Sequence, residues 1–173
     1  MSALKERLGC VIDFEGSRKA GIQQASILEF RNFNIINTHE FLRDDGNFND
    51  WILRLLKANP INFWVSHNIT VEKNFLTSQM PYFKNTSVTE GNMVWGPWID
   101  TLKIYKKLYP NLTEYSLKNL CDVFLSKREI NVLSEIYCKR SKKTFHQSMF
   151  DCLVTFKLIE RLKNKVELAL FLN

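Results

Sequence analysis

Residues 9–21 read GCVIDFEGSRKAG, an apolar run to Ile12 followed by two acids, Asp13 and Glu15, with no base between them. On a strand, residues two apart point to one face. The stretch therefore sets two like charges side by side on a strand bound for the core. Burying them so is unfavourable unless a cation or a proton relieves the repulsion.

Working outward, residues 22–30 and 33–42 read as two further strands, each set off by a short polar or glycine-containing turn. Three strands in succession predict an antiparallel meander. A helix follows over 47–60, with Trp51, Leu53, Leu55 and Leu56 at loose helical spacing and Asn59-Pro60 as its stop. Residues 61–68 form a fourth strand and 70–80 a second helix. A short fifth strand within 93–102 is interrupted at Gly96-Pro97, helical stretches cover 101–109 and 116–125, and a long helix runs from about 147 to 168. This order predicts an α/β fold, one mixed five-stranded sheet flanked by helices, in a single domain over 1–173.

Sparse Gly and Pro and 45% hydrophobic residues exclude disorder and collagen-like structure. No stretch of eighteen apolar residues occurs and the opening MSALKERLG has no secretory character, so no membrane span and a cytoplasmic location are expected. Cys10, Cys121, Cys138 and Cys152 stand far apart without a C-x-x-C pair, which favours free buried thiols. A net charge of +6 suits a polyanionic partner, of which nucleic acid is the commonest.

Further acids join the first two. In the last helix Lys157, Glu160, Arg161 and Asn164 define a polar stripe, and at about 100° per residue Asp151 falls roughly 130° from its centre, facing inward. In the second helix Glu72 lies in register with Phe75, Leu76 and Gln79. Each acid alone also fits a strand end or the first turn of a helix. Together the four carboxylates point to a site for hard cations, Mg²⁺ or Mn²⁺, and a two-metal site would explain the tolerated repulsion. His146, five residues before Asp151, is expected to project from the loop before the helix, where it can take a proton from water; by itself it also reads as a surface loop histidine. His67, at the end of the fourth strand, reads as structural, and His39 has no comparable placement.

VIDFEG (11–16), SHNITVEKNFL (66–76) and HQSMFD (146–151) resemble, in order, the D-x-E, H-N-x-x-x-D and H-x(4)-D motifs of the DEDDh, or DnaQ-like, family of 3′-to-5′ exonucleases, which includes polymerase proofreading domains. WIDTLKIYKKLYPNLTEYSLKNLC is similar to the family's D-T-L stretch and following helix start, so the resemblance spans roughly 8 to 163. It implies a ribonuclease H-like fold and hydrolytic release of nucleoside monophosphates from single-stranded or frayed 3′ ends. It further implies two divalent ions, Mg²⁺ or Mn²⁺, with Asp13 bridging them and Glu15 and Asp151 holding the ion that activates water. Glu72 completes the ligands, His146 is the general base, and the second ion stabilises the leaving 3′ oxygen.

The sequence also departs from the family. Glu72 stands where most relatives carry Asp, a DEEDh set like that of coronavirus-type proofreading exonucleases, and the added methylene brings about 1.5 Å of bond length. GSRKAG replaces the Thr-Thr-Gly-Leu wedge of proofreading subunits, and Arg18 and Lys19 are placed to meet phosphate instead. Phe14 and Asn68 are further candidate substrate contacts. The run CKRSKKTFH leads into His146, and its Lys139, Arg140, Lys142 and Lys143 read equally as phosphate contacts or as a solvated loop. The apolar tail VELALFLN is expected to pack at the helix end or to dock on a partner.

The reading is a metal-dependent exonuclease with DNA ahead of RNA. An exoribonuclease of the RNA-trimming or oligoribonuclease type is the alternative enzyme, because one fold serves both sugars. A nucleic-acid-binding module or polymerase accessory subunit with a decayed centre is the alternative outside enzymes, and competent groups at all five positions argue against it. Partner proteins would be a polymerase or a replication or repair complex.

Overall fold

A computed structural model describes residues 4, 6–17, 19–58, 61–80 and 96–173. The expected meander is present: β1 (Gly9–Ser17), β2 (Gly21–Arg31) and β3 (Asn34–Leu42) pair antiparallel. After α1 (Phe48–Ala58), β4 (Phe63–Ser66) pairs parallel to β1, and after α2 (Ile69–Gln79), β5 (Trp98–Asp100) pairs parallel to β4. The sheet order is β3-β2-β1-β4-β5. Then come α3 (Thr101–Leu108), α4 (Leu117–Phe124), α5 (Lys127–Tyr137) and α6 (Ser148–Leu162). The Asn59-Pro60 stop and residues 93–95 lie outside the described residues.

Strand alternation divides the core. Cys10, Ile12 and Phe14 of β1 join Ala25, Ile27, Trp64 and Trp98 under α1 and α2. Val11 joins Leu28, Phe30, Val65 and Ile99 on the other face, beneath α3 to α6. By the same parity Asp13 and Glu15 share Val11's face, so the acid pair looks toward α6. A β-bulge between Glu15 and Gly16 bends the end of β1. A Cβ on Gly16, whose φ is +157°, would lie 2.2 Å from the Gly21 carbonyl oxygen, so no other residue fits that bend.

α6 is the central helix of its layer, with twelve of its fifteen residues buried. Its polar stripe is narrower than expected, because Lys157 is drawn between Glu129 and Glu160. The helix ends at Leu162, short of the predicted 168. Leu168 is buried in a 3-10 turn (Leu168–Phe171), and the Trp98 and Asn173 backbones exchange two hydrogen bonds of 2.9 Å. A straight helix would carry these apolar residues away from β5. The tail thus packs on the domain.

α5 is an element that periodicity missed. Ser126 caps it by accepting from Glu129 N–H at 3.4 Å, and the Ser-x-x-Glu spacing is a start signal of its own. All four cysteines are free and buried, as expected.

Candidate metal centre

Val11 pairs with Val65, so Asp13 stands just beyond the last β4 residue, Ser66. Here the antiparallel partner β2 and the parallel partner β4 flank β1, and the carboxyl ends of parallel strands are where open α/β sheets bind ligands. α2 starts directly after β4 and brings Glu72 in its first turn. α6 is fixed over β1 and β2: the Ser26 and Ser148 hydroxyls lie 2.7 Å apart, and Cys152 Sγ donates to the Ser26 and Val11 carbonyls at 3.4 and 3.8 Å. Ser26 is the cross-strand partner of Asp13, so this grip sets Asp151, in the first turn of α6, above the acid pair.

Ligand atoms of Glu15, His146 and Asp151 lie within 4.8 Å of one another. The His146 backbone N–H donates to Asp151 Oδ2 at 3.1 Å, and the His146 side chain is exposed. His146 adopts φ +61°, a left-handed conformation that costs an L-residue about 1–2 kcal/mol. Among the described residues, Asp13 Oδ2, Glu72 Oε2 and Asp151 Oδ1 are buried and have no hydrogen-bond partner.

The electrostatics follow from that crowding. Burial, then Asp151, Glu72 and Glu15, push the Asp13 carboxyl well above its ordinary value. Burial lifts Glu72 to about 8, opposed by the Ser66 hydroxyl and its own backbone N–H and reinforced by Asp100 and Glu15. Burial lifts Asp151 to about 7, opposed by the His146 N–H and reinforced by Glu15. Glu15 is raised by burial, with His146 pulling the other way. Orphaned carboxylate oxygens from three elements, with Glu15 and an imidazole beside them, make a hard-donor set that fits Mg²⁺ or Mn²⁺.

No protein-family model matches the chain, and no curated protein matches it. Solved structures do. Exonuclease X in complex with 5′ overhanging duplex DNA superposes with a TM-score of 0.59 at 18% identity, covering 94% of this chain and 96% of that one. The likeness extends over nearly the whole of both chains. The fold is that of the ribonuclease H-like exonucleases. Exonuclease I of E. coli with a 5cy-dT13 oligonucleotide gives a TM-score of 0.57 at 15% identity over 92% of this chain, which spans 41% of that protein's length. Pop2p of S. pombe, in a form with Mg²⁺ and Mn²⁺ bound, gives 0.50 at 12% identity, covering 91% and 83% of the two chains.

Within this ribonuclease H-like frame the remaining predicted residues take varied places. His67 is held by the fold: its Nε2 donates to the Tyr115 carbonyl at 2.9 Å, and its Nδ1 lies 3.0 Å from the Thr101 hydroxyl. Asn68, at φ +70°, donates its backbone N–H to Asp100 Oδ1 at 3.2 Å. The Phe14 ring, 5% exposed, packs edge-on against Phe48 and Phe75, so strand parity turns it away from the acids. Lys19 and Lys142 are exposed; Arg18 lies outside the described residues.

The basic run is divided. Arg140 forms a two-pronged pair with Asp45, both contacts 2.6 Å, while Glu40 Oε1 accepts the Lys139 and Arg140 backbone N–H groups at 3.2 Å. Lys143 pairs with Glu135. These contacts tie the loop before His146 to the end of β3 and to α5.

Asp100, the acid of the D-T-L stretch, holds two helix starts. Buried to 2% exposure, it caps α3 by accepting from Lys103 N–H at 3.4 Å and holds the start of α2 through Asn68. A short-strand acid directly before a helix is the cap signal that marks it.

Proposed function

We propose that this chain is a divalent-metal-dependent 3′-to-5′ exonuclease that releases nucleoside monophosphates from single-stranded or frayed 3′ ends, DNA ahead of RNA. The observation that carries the reading is the convergence of three buried carboxylate oxygens from β1, α2 and α6, unpartnered among the described residues, beside Glu15 and an exposed histidine. A structural acid cluster would have its oxygens satisfied by the chain itself. The likeness to Exonuclease X and Exonuclease I structures that contain DNA, and to Pop2p with Mg²⁺ and Mn²⁺, supports the same reading.

Asp13, Glu15, Glu72 and Asp151 would together hold two ions. When bound, such ions polarise the phosphoryl group, activate water and stabilise the leaving oxygen. His146 presents its ring at the open side of the site, where it accepts the proton of the attacking water. Its backbone tie to Asp151 keeps that ring in step with the α6 carboxylate. The exposed Lys19 and Lys142 would meet phosphates of the strand. Nothing in the site requires base recognition, and a polymerase or a replication or repair complex is the class of protein that would deliver such ends.

The test gives purified protein 5′-labelled single-stranded DNA and RNA of one sequence with Mg²⁺, Mn²⁺ or chelator. A metal-dependent ladder receding from the 3′ end is expected, faster on DNA. Binding without cleavage in either metal removes the enzyme reading.

A further inference from the structure

The left-handed backbone of His146 is held on both of its peptide faces. Its N–H goes to Asp151 Oδ2, and its carbonyl accepts from Gln147 Nε2 at 2.8 Å. The Gln147 amide is itself oriented, because its Oε1 accepts from Gln24 Nε2 at 3.3 Å. Gln24 sits on β2 directly opposite Glu15, as Ser26 sits opposite Asp13. Gln24 Oε1 is buried with no partner among the described residues. An amide held with its oxygen unsatisfied is costly, and flipping it would set two oxygens face to face, so the donor end is the one in use.

We propose that Gln24 and Gln147 are positioning residues for the exonuclease reaction, a two-amide relay that fixes the His146 backbone from the strand position opposite Glu15. The proposal rests on the exonuclease reading above for its kinetic consequence. The relay explains how a residue with a Cβ stays left-handed on an exposed loop. It also couples two parts of the chain 123 residues apart, so that a ligand on β1 and the general base before α6 share one reference strand.

Gln147→Met and Gln24→Met keep side-chain length and remove the amide. On labelled single-stranded DNA with Mn²⁺, Gln147→Met is expected to lower kcat about 10- to 100-fold, the range for groups that orient site residues from behind, with KM nearly unchanged; Gln24→Met shifts kcat the same way by less. In a His146→Ala background the loss is expected to shrink to a few-fold at most, because the part exercised through the ring vanishes and only the backbone tie to Asp151 is left to disturb. The same fold loss in both backgrounds, or no loss in either, overturns the proposal. A crystal structure of Gln147→Met decides it independently of turnover: His146 is expected to leave the left-handed region, and φ remaining near +61° overturns the relay. If the wild-type protein does not cleave, the exonuclease reading fails while the structural comparison still tests the relay.

Discussion

The backbone N–H of His146 donates to Asp151 Oδ2 at 3.1 Å, so the proposed base and the α6 carboxylate are joined through the main chain and not through the imidazole. His146→Ala therefore leaves Asp151 its partner and removes the ring alone. The expected loss is on the order of 10²- to 10⁴-fold in rate. Affinity for a single-stranded oligonucleotide, measured with Ca²⁺, should stay near wild type. Full rate at pH 7 in this variant would return His146 to an ordinary loop histidine.

Asp13 faces Asp151, Glu72 and Glu15, and its Oδ2 has no hydrogen-bond partner among the described residues. Asp13→Asn is expected to abolish nearly all turnover, yet to raise the melting temperature of the chelator-treated protein at pH 8 because the cost of burying an ionisable carboxyl among like acids is gone. A lower melting temperature with intact cleavage would show that Asp13 is a structural acid.

The raised carboxyls make the metal-free protein sensitive to alkali. Free carboxyls ionise near pH 4, whereas Glu72 and Asp151 in the fold hold their protons to about 8 and about 7. The folded state then binds more protons than the unfolded chain, so the stability present at pH 4 is lost as pH rises toward 8. Melting in chelator should fall by several degrees between pH 5 and pH 8, and Mn²⁺ should remove most of that fall. A melting temperature that is flat across this window in chelator contradicts the burial of ionisable acids described here.

Much of this site was legible because strand parity and helical angle are local. Asp13 and Glu15 shared a face by their spacing, and Asp151 and Glu72 faced inward by their angles. Parity also decides Phe14: a residue between Asp13 and Glu15 must point away from them, which is why its ring lies against Phe48 and Phe75. Other features have no local signal. The partner of Arg140 is Asp45, 95 residues distant, and beyond the end of α6 Asn173 pairs with Trp98, far back in the chain. α5 escaped periodicity because Val132 and Ile136, both about half exposed, blur its apolar stripe. Its cap at Ser126 was the readable sign.

Glu72 allows the sharpest separation of ligand from helix acid. It is 2% exposed in the first turn of α2, which is anchored by the buried Ile69 and Leu76, so the backbone will not shift to compensate a shorter side chain. Glu72→Asp draws the carboxylate back by about 1.5 Å, one C–C bond. If the group holds an ion, that variant should keep measurable cleavage with a changed ratio of Mg²⁺- to Mn²⁺-supported rates, since Mg²⁺ demands stricter geometry. Glu72→Ala should lose most of the rate in either metal. Dipole stabilisation of the helix start gives a different pattern, because it would lower the melting temperature of Glu72→Ala without altering metal preference. Wild-type rates for both variants with both metals would assign Glu72 to the helix and leave Asp13, Glu15 and Asp151 as the ligands.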